Sequence, residues 1–204
     1  MGKGLPYSLA PLYKQLGNAG ALNPVGTVPT ALSNYVSVDE IGSDAARKSI
    51  FTIVDLPIAV ISVTTGNGVG GIQIYDFPEG YLQRIGCLAD LSLSVATANQ
   101  ADFTDNTPEG DLGIGTLAPA NADALGTDAT DDDWGTATAF IMTAFADAEI
   151  LVPPEAIGVV DGHATATNLF INVLVDAADI DDGTTSEMLI NGRVEITWTP
   201  LGDN

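Results

Sequence analysis

Few side chains in this 204-residue chain have the type and spacing to do chemistry. Gly66-Asn67-Gly68-Val69-Gly70-Gly71 matches the G-x-G-x-x-G pattern of dinucleotide-binding turns and follows a β-branched run. That chemistry needs a helix directly after the glycines, so that free amides at its N-terminus meet the pyrophosphate. The residues that follow, GIQIYDF, read as a strand, so the glycines predict a hairpin turn instead. Asp131-Asp132-Asp133 and the set Asp176, Asp179, Asp181 and Asp182 offer hard oxygen ligands of the kind calcium prefers. Neither has the spacing of the helical calcium loop, because Gly183 falls one position early after Asp179 and Asp181. Solvated, mutually repelling loop carboxylates are expected, with a structural calcium at a subunit interface as the alternative. No other cofactor is expected.

His163 sits beside Asp161 on a turn before a strand and reads as a surface histidine. Cys87, the single cysteine, follows Gly86 in apolar surroundings and reads as a buried, inert thiol. A glycosidase-type carboxylate pair could be drawn from the 27 acids, yet a carbohydrate cleft wants aromatic platforms and the chain has two tryptophans. Trp134 follows three aspartates in a loop and is the exposed aromatic best placed for a partner. Trp198, in VEITWTP, is expected to pack within a strand. No catalytic, cofactor-binding or metal-ligating residue is assigned, and the chain is not read as an enzyme.

Charge narrows the partners. Acids outnumber bases 27 to 6, for a net charge of -21, so a nucleic-acid or anionic-membrane surface would have to form against the field of the whole protein. The excess is uneven: up to Arg84 there are 6 acids against 5 bases, leaving 21 acids against Arg193 alone beyond it. Twenty of the acids are aspartate, which suits turns because its short side chain competes for nearby backbone donors. Hydrophobic residues at 46% nonetheless supply a core. Pro6 and Pro11 break the N-terminus before any secretory apolar run, and Asp55 and Pro57 break the apolar stretch after Ile50, so neither a signal peptide nor a membrane span is expected.

These residues must be positioned by strands. Residues 1–48 hold scattered glycines and prolines without sustained periodicity and are expected as an extended arm, with a short helix weighed at SDAARKS. The arm's apolar groups, including Leu5, Tyr7, Leu12, Tyr13 and Tyr35, need a surface, either their own body or a neighbour, and with Trp134 they form the expected contact set. The body, residues 49–204, opens with IFTIVDLPIAVISVTT, where Pro57 predicts an edge, a bulge or a break. DLSLSV, ATAFIMTAF, NLFINVLV and MLINGRVEITW supply further strands, with Leu169, Ile171, Val173 and Val175 as a core-facing set. An Asp/Ala/Gly-rich insertion at about 96–136 is expected to hold a short strand at DLGIGT and a helical turn at ANADAL. Strand following strand predicts an all-β jelly roll or two-sheet antiparallel β-sandwich, with an up-and-down barrel as the competing architecture.

The Gly/Pro-rich arm, GGIQIYDFPEGYLQRIG, ADFTDNTPEGDLGIGTLAPANADAL and LINGRVEITWTPLG together resemble virion structural proteins of marine tailed bacteriophages, most nearly their jelly-roll capsid cement or decoration proteins. The resemblance rests on texture and runs from about Ser49 to the end. It implies a homo-oligomer, a trimer in many such proteins, made in the host cytoplasm. On the capsid surface it would clamp neighbouring major capsid subunits, with no nucleic-acid or membrane partner. Two rivals stand beside it: a carbohydrate- or calcium-dependent β-sandwich binding module, and another virion component such as a capsid or tail protein.

Overall fold

Alternation of β-branched and aromatic residues with polar ones makes strands of most of the chain. The computed structural model describes residues 21–22, 26–43, 46–62, 66–120, 124–125, 130–145, 148–155, 158–162 and 167–202. The strands are β1 (Ala21–Leu22), β2 (Val36–Ser43), β3 (Ala46–Ser62), β4 (Gly68–Asp76), β5 (Gly80–Val95) and β6 (Glu109–Gly115). They continue with β7 (Gly135–Ile141), β8 (Ala148–Val152), β9 (Gly158–Gly162), β10 (Asn168–Val175) and β11 (Thr185–Gly202). Two 3-10 turns, Thr30–Leu32 and Thr97–Asp102, are the helical pieces among the described residues.

The pairing is nested. Take the eight long-path strands in chain order, β3, β4, β5, β6, β7, β8, β10 and β11. The first pairs with the last, the second with the seventh, the third with the sixth and the fourth with the fifth, all antiparallel. Cross-links β11–β5 and β10–β6 then give two sheets, β3–β11–β5–β8 and β4–β10–β6–β7. This is the strand order of a jelly roll, a hairpin of the whole chain rolled around one core. It excludes the up-and-down barrel, in which β4 and β5 would be neighbours. The sheets meet at two seams: β3 joins β4 through Ile61–Val69 and Ser62–Gly68, and β7 joins β8 through a bridge from Gly135 to Pro154. β9 continues the sheet edge past β8, along the first residues of β5.

Inward residues fill the space between sheets. Leu169, Ile171, Val173 and Val175 are fully buried, as their alternation requires, against Phe51, Leu91, Leu93, Leu112, Ile114 and Val194. In β3 the inward phase changes partway: odd positions 47–53 are buried, then even positions 56–62. The switch is a bulge at Asp55, whose φ is +47°, opposite the register shift at Asn191 in β11. Asp55 N donates to Asn191 Oδ1 at 2.8 Å and Asn191 Nδ2 returns a bond to Asp55 Oδ1 at 3.1 Å, which locks the bulge. Pro57 follows it, on the stretch of β3 between the parts paired to β2 and to β4, so no ladder bond on that side needs its missing N–H.

Two expectations change. The strand-paired body starts at Val36 rather than Ser49, because β2 adds to the edge of β3 from Val36–Ile53 to Ser43–Ala46. The same strands take Ser43 and residues 46–49, leaving no helix at SDAARKS among the described residues. The lead-in before β2 also lies on its own body: Thr27 exchanges two backbone bonds with Asp76 on the edge of β4 away from β10. The insertion contains the expected strand at DLGIGT as β6, and a 3-10 turn at its start. Most of ANADAL lies outside the described residues. The return of the insertion crosses the outer face of its own sheet, where Asn172 Nδ2 donates to the carbonyls of Leu117 (2.8 Å) and Asp131 (2.6 Å). Gly115 permits that approach, since a Cβ there would stand 2.4 Å from the Asp131 carbonyl.

Gly192, at the bulge on β11, has φ +129°, and a Cβ would stand 2.2 Å from the Asp90 carbonyl. Gly192→Ala is therefore expected to cost on the order of 2–3 kcal/mol in urea unfolding. Gly86→Ala, where a Cβ meets nothing within 4 Å, is expected to stay within about 0.5 kcal/mol of the parent.

Candidate functional site

Glu40 stands third on the inward face of β2, after Val36 and Val38, and is 1% exposed. A buried carboxylate must find donors, and three side chains on two strands supply them. Arg47 Nη1 in β3 pairs with Oε2 at 2.9 Å, Ser49 Oγ donates to Oε1 at 3.1 Å, and the Tyr75 hydroxyl in β4 donates to Oε1 at 2.5 Å. Tyr75 in turn accepts a bond from Gly26 N at 2.9 Å, while Trp198 Nε1 in β11 donates to Ser49 Oγ at 2.9 Å. Burial, then the Glu40 bond and charge, hold the Tyr75 phenol well above its ordinary range, so it remains a donor. The cluster is a structural clamp that fixes the lead-in and β2 to the seam where β3 and β4 part.

A second clamp holds the insertion. Arg84 Nη1 in β5 pairs with Asp133 Oδ2 at 2.9 Å and also bonds the Asp133 carbonyl, while Thr116 Oγ1 donates to Asp133 Oδ2 at 3.2 Å. The guanidinium carbon lies 6.0 Å from the centre of the Trp134 ring. Trp134 stacks on Phe77 at 5.6 Å with the planes 8° apart, and Phe77 meets Trp198 edge-on at 5.2 Å. Burial pushes Asp133 up to about 6, against the pull of Arg84 and the Thr116 bonds.

Several expected site residues are thus relocated. Trp134 is buried rather than exposed, because the chain after three aspartates turns inward to cap the core with an indole. Asp131 and Asp133 are buried rather than solvated; Asp179 is also buried and accepts a bond from Glu109 N at 2.9 Å. Asp176, Asp181 and Asp182 are exposed, as expected of loop carboxylates. Among the described residues no three His, Cys, Asp or Glu side chains converge to hold a metal ion. Tyr35 is half-buried against its own core. Leu5, Tyr7, Leu12, Tyr13 and His163 lie outside the described residues. The G-x-G-x-x-G glycines lead into β4 of a hairpin, and Cys87 is buried with its thiol pushed up to about 12.

The feature missed in the sequence is on the outside. Ile85 and Leu88 in β5, Leu151 in β8 and Val159 in β9 are 38%, 46%, 62% and 60% exposed. Leu151 lies opposite Asp90, diagonal to Leu88, and Val159 lies opposite Gln83, two residues from Ile85. The four lie along one outward strip, with the exposed acid Asp90 among them opposite Leu151 and the exposed acids Glu149 and Asp161 two residues from Leu151 and Val159. Period-2 patterning identifies which residues share a face but not which face is covered.

No protein-family model matches the chain, and no curated protein does. Solved structures are similar at 13% identity. One is an arabinose-bound α-L-arabinofuranosidase, with a TM-score of 0.37 over 86% of this chain and 25% of that one. Another is infectious bursal disease virus, Gx strain, at 0.35 over 91% and 40%. A third is desmodium yellow mottle tymovirus, at 0.24 over 100% and 98%. This chain spans a quarter and two fifths of the length of the first two. The jelly-roll assignment rests on the strand order.

Removing the hub of the first clamp, Glu40→Ala, is expected to destabilise the fold by about 3–5 kcal/mol. Lys48→Ala, which breaks a half-exposed pair with Glu195, is expected to cost under about 1 kcal/mol in the same denaturant titration. Asp133 also sets a pH dependence. Its folded pKa of about 6 exceeds an unfolded value near ~3.9, so the folded state binds more protons between them. Stability from this group therefore falls as pH rises from about 4 to about 6 and is flat above. Thermal unfolding across pH 4.5–7.5 (~0.5-unit steps) should show this slope in the parent and a shallower one in Asp133→Asn, where Asp111 and Asp179, also raised by burial, supply the remainder.

Proposed function

We propose that the chain is a virion structural protein, a cement or decoration protein that self-associates, as a trimer, on a capsid surface and braces neighbouring major capsid subunits. It acts by contact and performs no catalysis. The observation that carries the reading is the outward apolar strip on an otherwise acidic jelly roll. Large aliphatic side chains gathered on one exposed face of a folded domain mark a site of association. The buried Glu40 and Asp133 carboxylates are spent on internal clamps, which suits a rigid brace. The acid excess keeps closely spaced copies soluble and repels nucleic acid. The resemblance of the arm, GGIQIYDFPEGYLQRIG and LINGRVEITWTPLG to phage cement proteins supplies the particular role.

The test is to count the chain in purified virions that encode it, by quantitative mass spectrometry against the major capsid protein, and then to strip it and heat the heads. A fixed small-integer ratio to the major capsid protein is expected, with stripped heads opening at lower temperature and re-addition restoring them. A few copies per particle, or none, would defeat the proposal.

A further inference from the structure

We propose that residues 1–20 of a second copy dock on the outward strip formed by Ile85, Leu88, Leu151 and Val159, and that this contact joins the subunits. The inference rests on the assembly role above and names the surface and the segment that carry it. Charge selects the occupant. Each of the four bases in the described body is tied to a carboxylate of the body: Arg47 to Glu40, Lys48 and Arg193 to Glu195, and Arg84 to Asp133. The chain's other two bases, Lys3 and Lys14, both fall in residues 1–20, which contain no acid. That segment therefore carries +2, and the remaining 184 residues carry -21 less 2, or -23. Bodies of that charge repel one another, and the cationic segment is the part of the chain able to bridge them.

Apolar content and length agree. The segment holds Leu5, Tyr7, Leu9, Leu12, Tyr13 and Leu16. The strip runs along β5 from the position of Val159, opposite Gln83, to that of Leu151, opposite Asp90, about 23 Å at strand rise. At strand rise seven or eight residues match that distance, and Lys3 and Lys14, eleven apart in the chain, are spaced to exceed it, with the acids Asp90, Glu149 and Asp161 on the strip to attract them. The described chain begins at Ala21, paired to Ile41 of β2 at the opposite edge of the same sheet from β8 and β9. Cross-linking between chains separates a neighbour's segment from the chain's own.

Two single-cysteine variants of the full chain, Leu9→Cys and Leu151→Cys, are mixed and oxidised. Cys87 stays out of the reaction because it is buried. A disulfide joining the two different variants is expected. Light scattering is expected to show an oligomer for the parent and self-association at least tenfold weaker for Leu151→Asp. A second variant, Lys3→Glu with Lys14→Glu, leaves the body untouched and should weaken association as much. A monomeric parent, absence of the mixed disulfide, or a monomeric double-cysteine chain bridged within itself would overturn the docking. The particle count is read separately: a monomer that still loads on virions defeats the docking and spares the virion role, while an oligomer absent from virions does the reverse.

Discussion

A negative charge placed inside a protein is tolerated only where donors surround it, and the Glu40 carboxylate imposes that condition on the whole seam of this fold. β3 and β4 touch at one end and diverge at the other, so the jelly roll would be open along that side. The gap is filled by the lead-in at Gly26 and Thr27 and by β2, which pack Val28, Leu32, Tyr35, Val36 and Val38 against the core. Glu40 gathers Arg47, Ser49 and Tyr75, and through them Gly26 and Trp198, so that one acid couples the lead-in, β2, β3, β4 and β11. Closing the seam and orienting the largest core aromatics are then a single event.

The Arg84–Asp133 pair plays the matching part at the other seam. It draws the end of the insertion down onto β5, and the next residue, Trp134, completes an aromatic row with Phe77, Trp198 and Tyr75. The scarcity of bases matters here. With every base of the described body committed to a carboxylate, the outer surface is left with an excess of acids and a few aliphatic side chains. Such a surface carries a strong negative field that repels anionic polymers.

Where every second position of a strand is apolar, as at Leu169, Ile171, Val173 and Val175 in NLFINVLV, its existence and inward face are legible from the residues alone. The run IFTIVDLPIAVIS betrays its irregularity through Pro57, although the bulge falls two residues earlier, at Asp55. β2 is hidden because its third inward position is the acid Glu40, which breaks the apolar alternation a strand is read from. Trp134 is misplaced for a related reason: three preceding aspartates read as solvent-facing, and nothing local reveals that Arg84, far off in the chain, pulls the third of them inside. Buried polar pairs are long-range facts, and local pattern is blind to them. The apolar strip on β5, β8 and β9 was unread because the alternation of a strand does not say whether its outer face is covered, and here the insertion covers the outer face of the other sheet instead.

The nesting of strands also governs when the protein can come into being. β11 lies between β3 and β5, and the bond from Trp198 to Ser49 joins positions 149 apart in the chain. During synthesis, β3 and β5 emerge long before the strand that must separate them, and no early pair within the first sheet can substitute for it. Closing so long a loop is entropically dear and slow, so the fold forms late and nearly all at once. A chain cut short before Thr185 would leave two long hydrophobic edges open to any passing strand. Completion of the last strand is thus a checkpoint: copies that stop short of it lack the closed body and keep open the edges that invite mispairing.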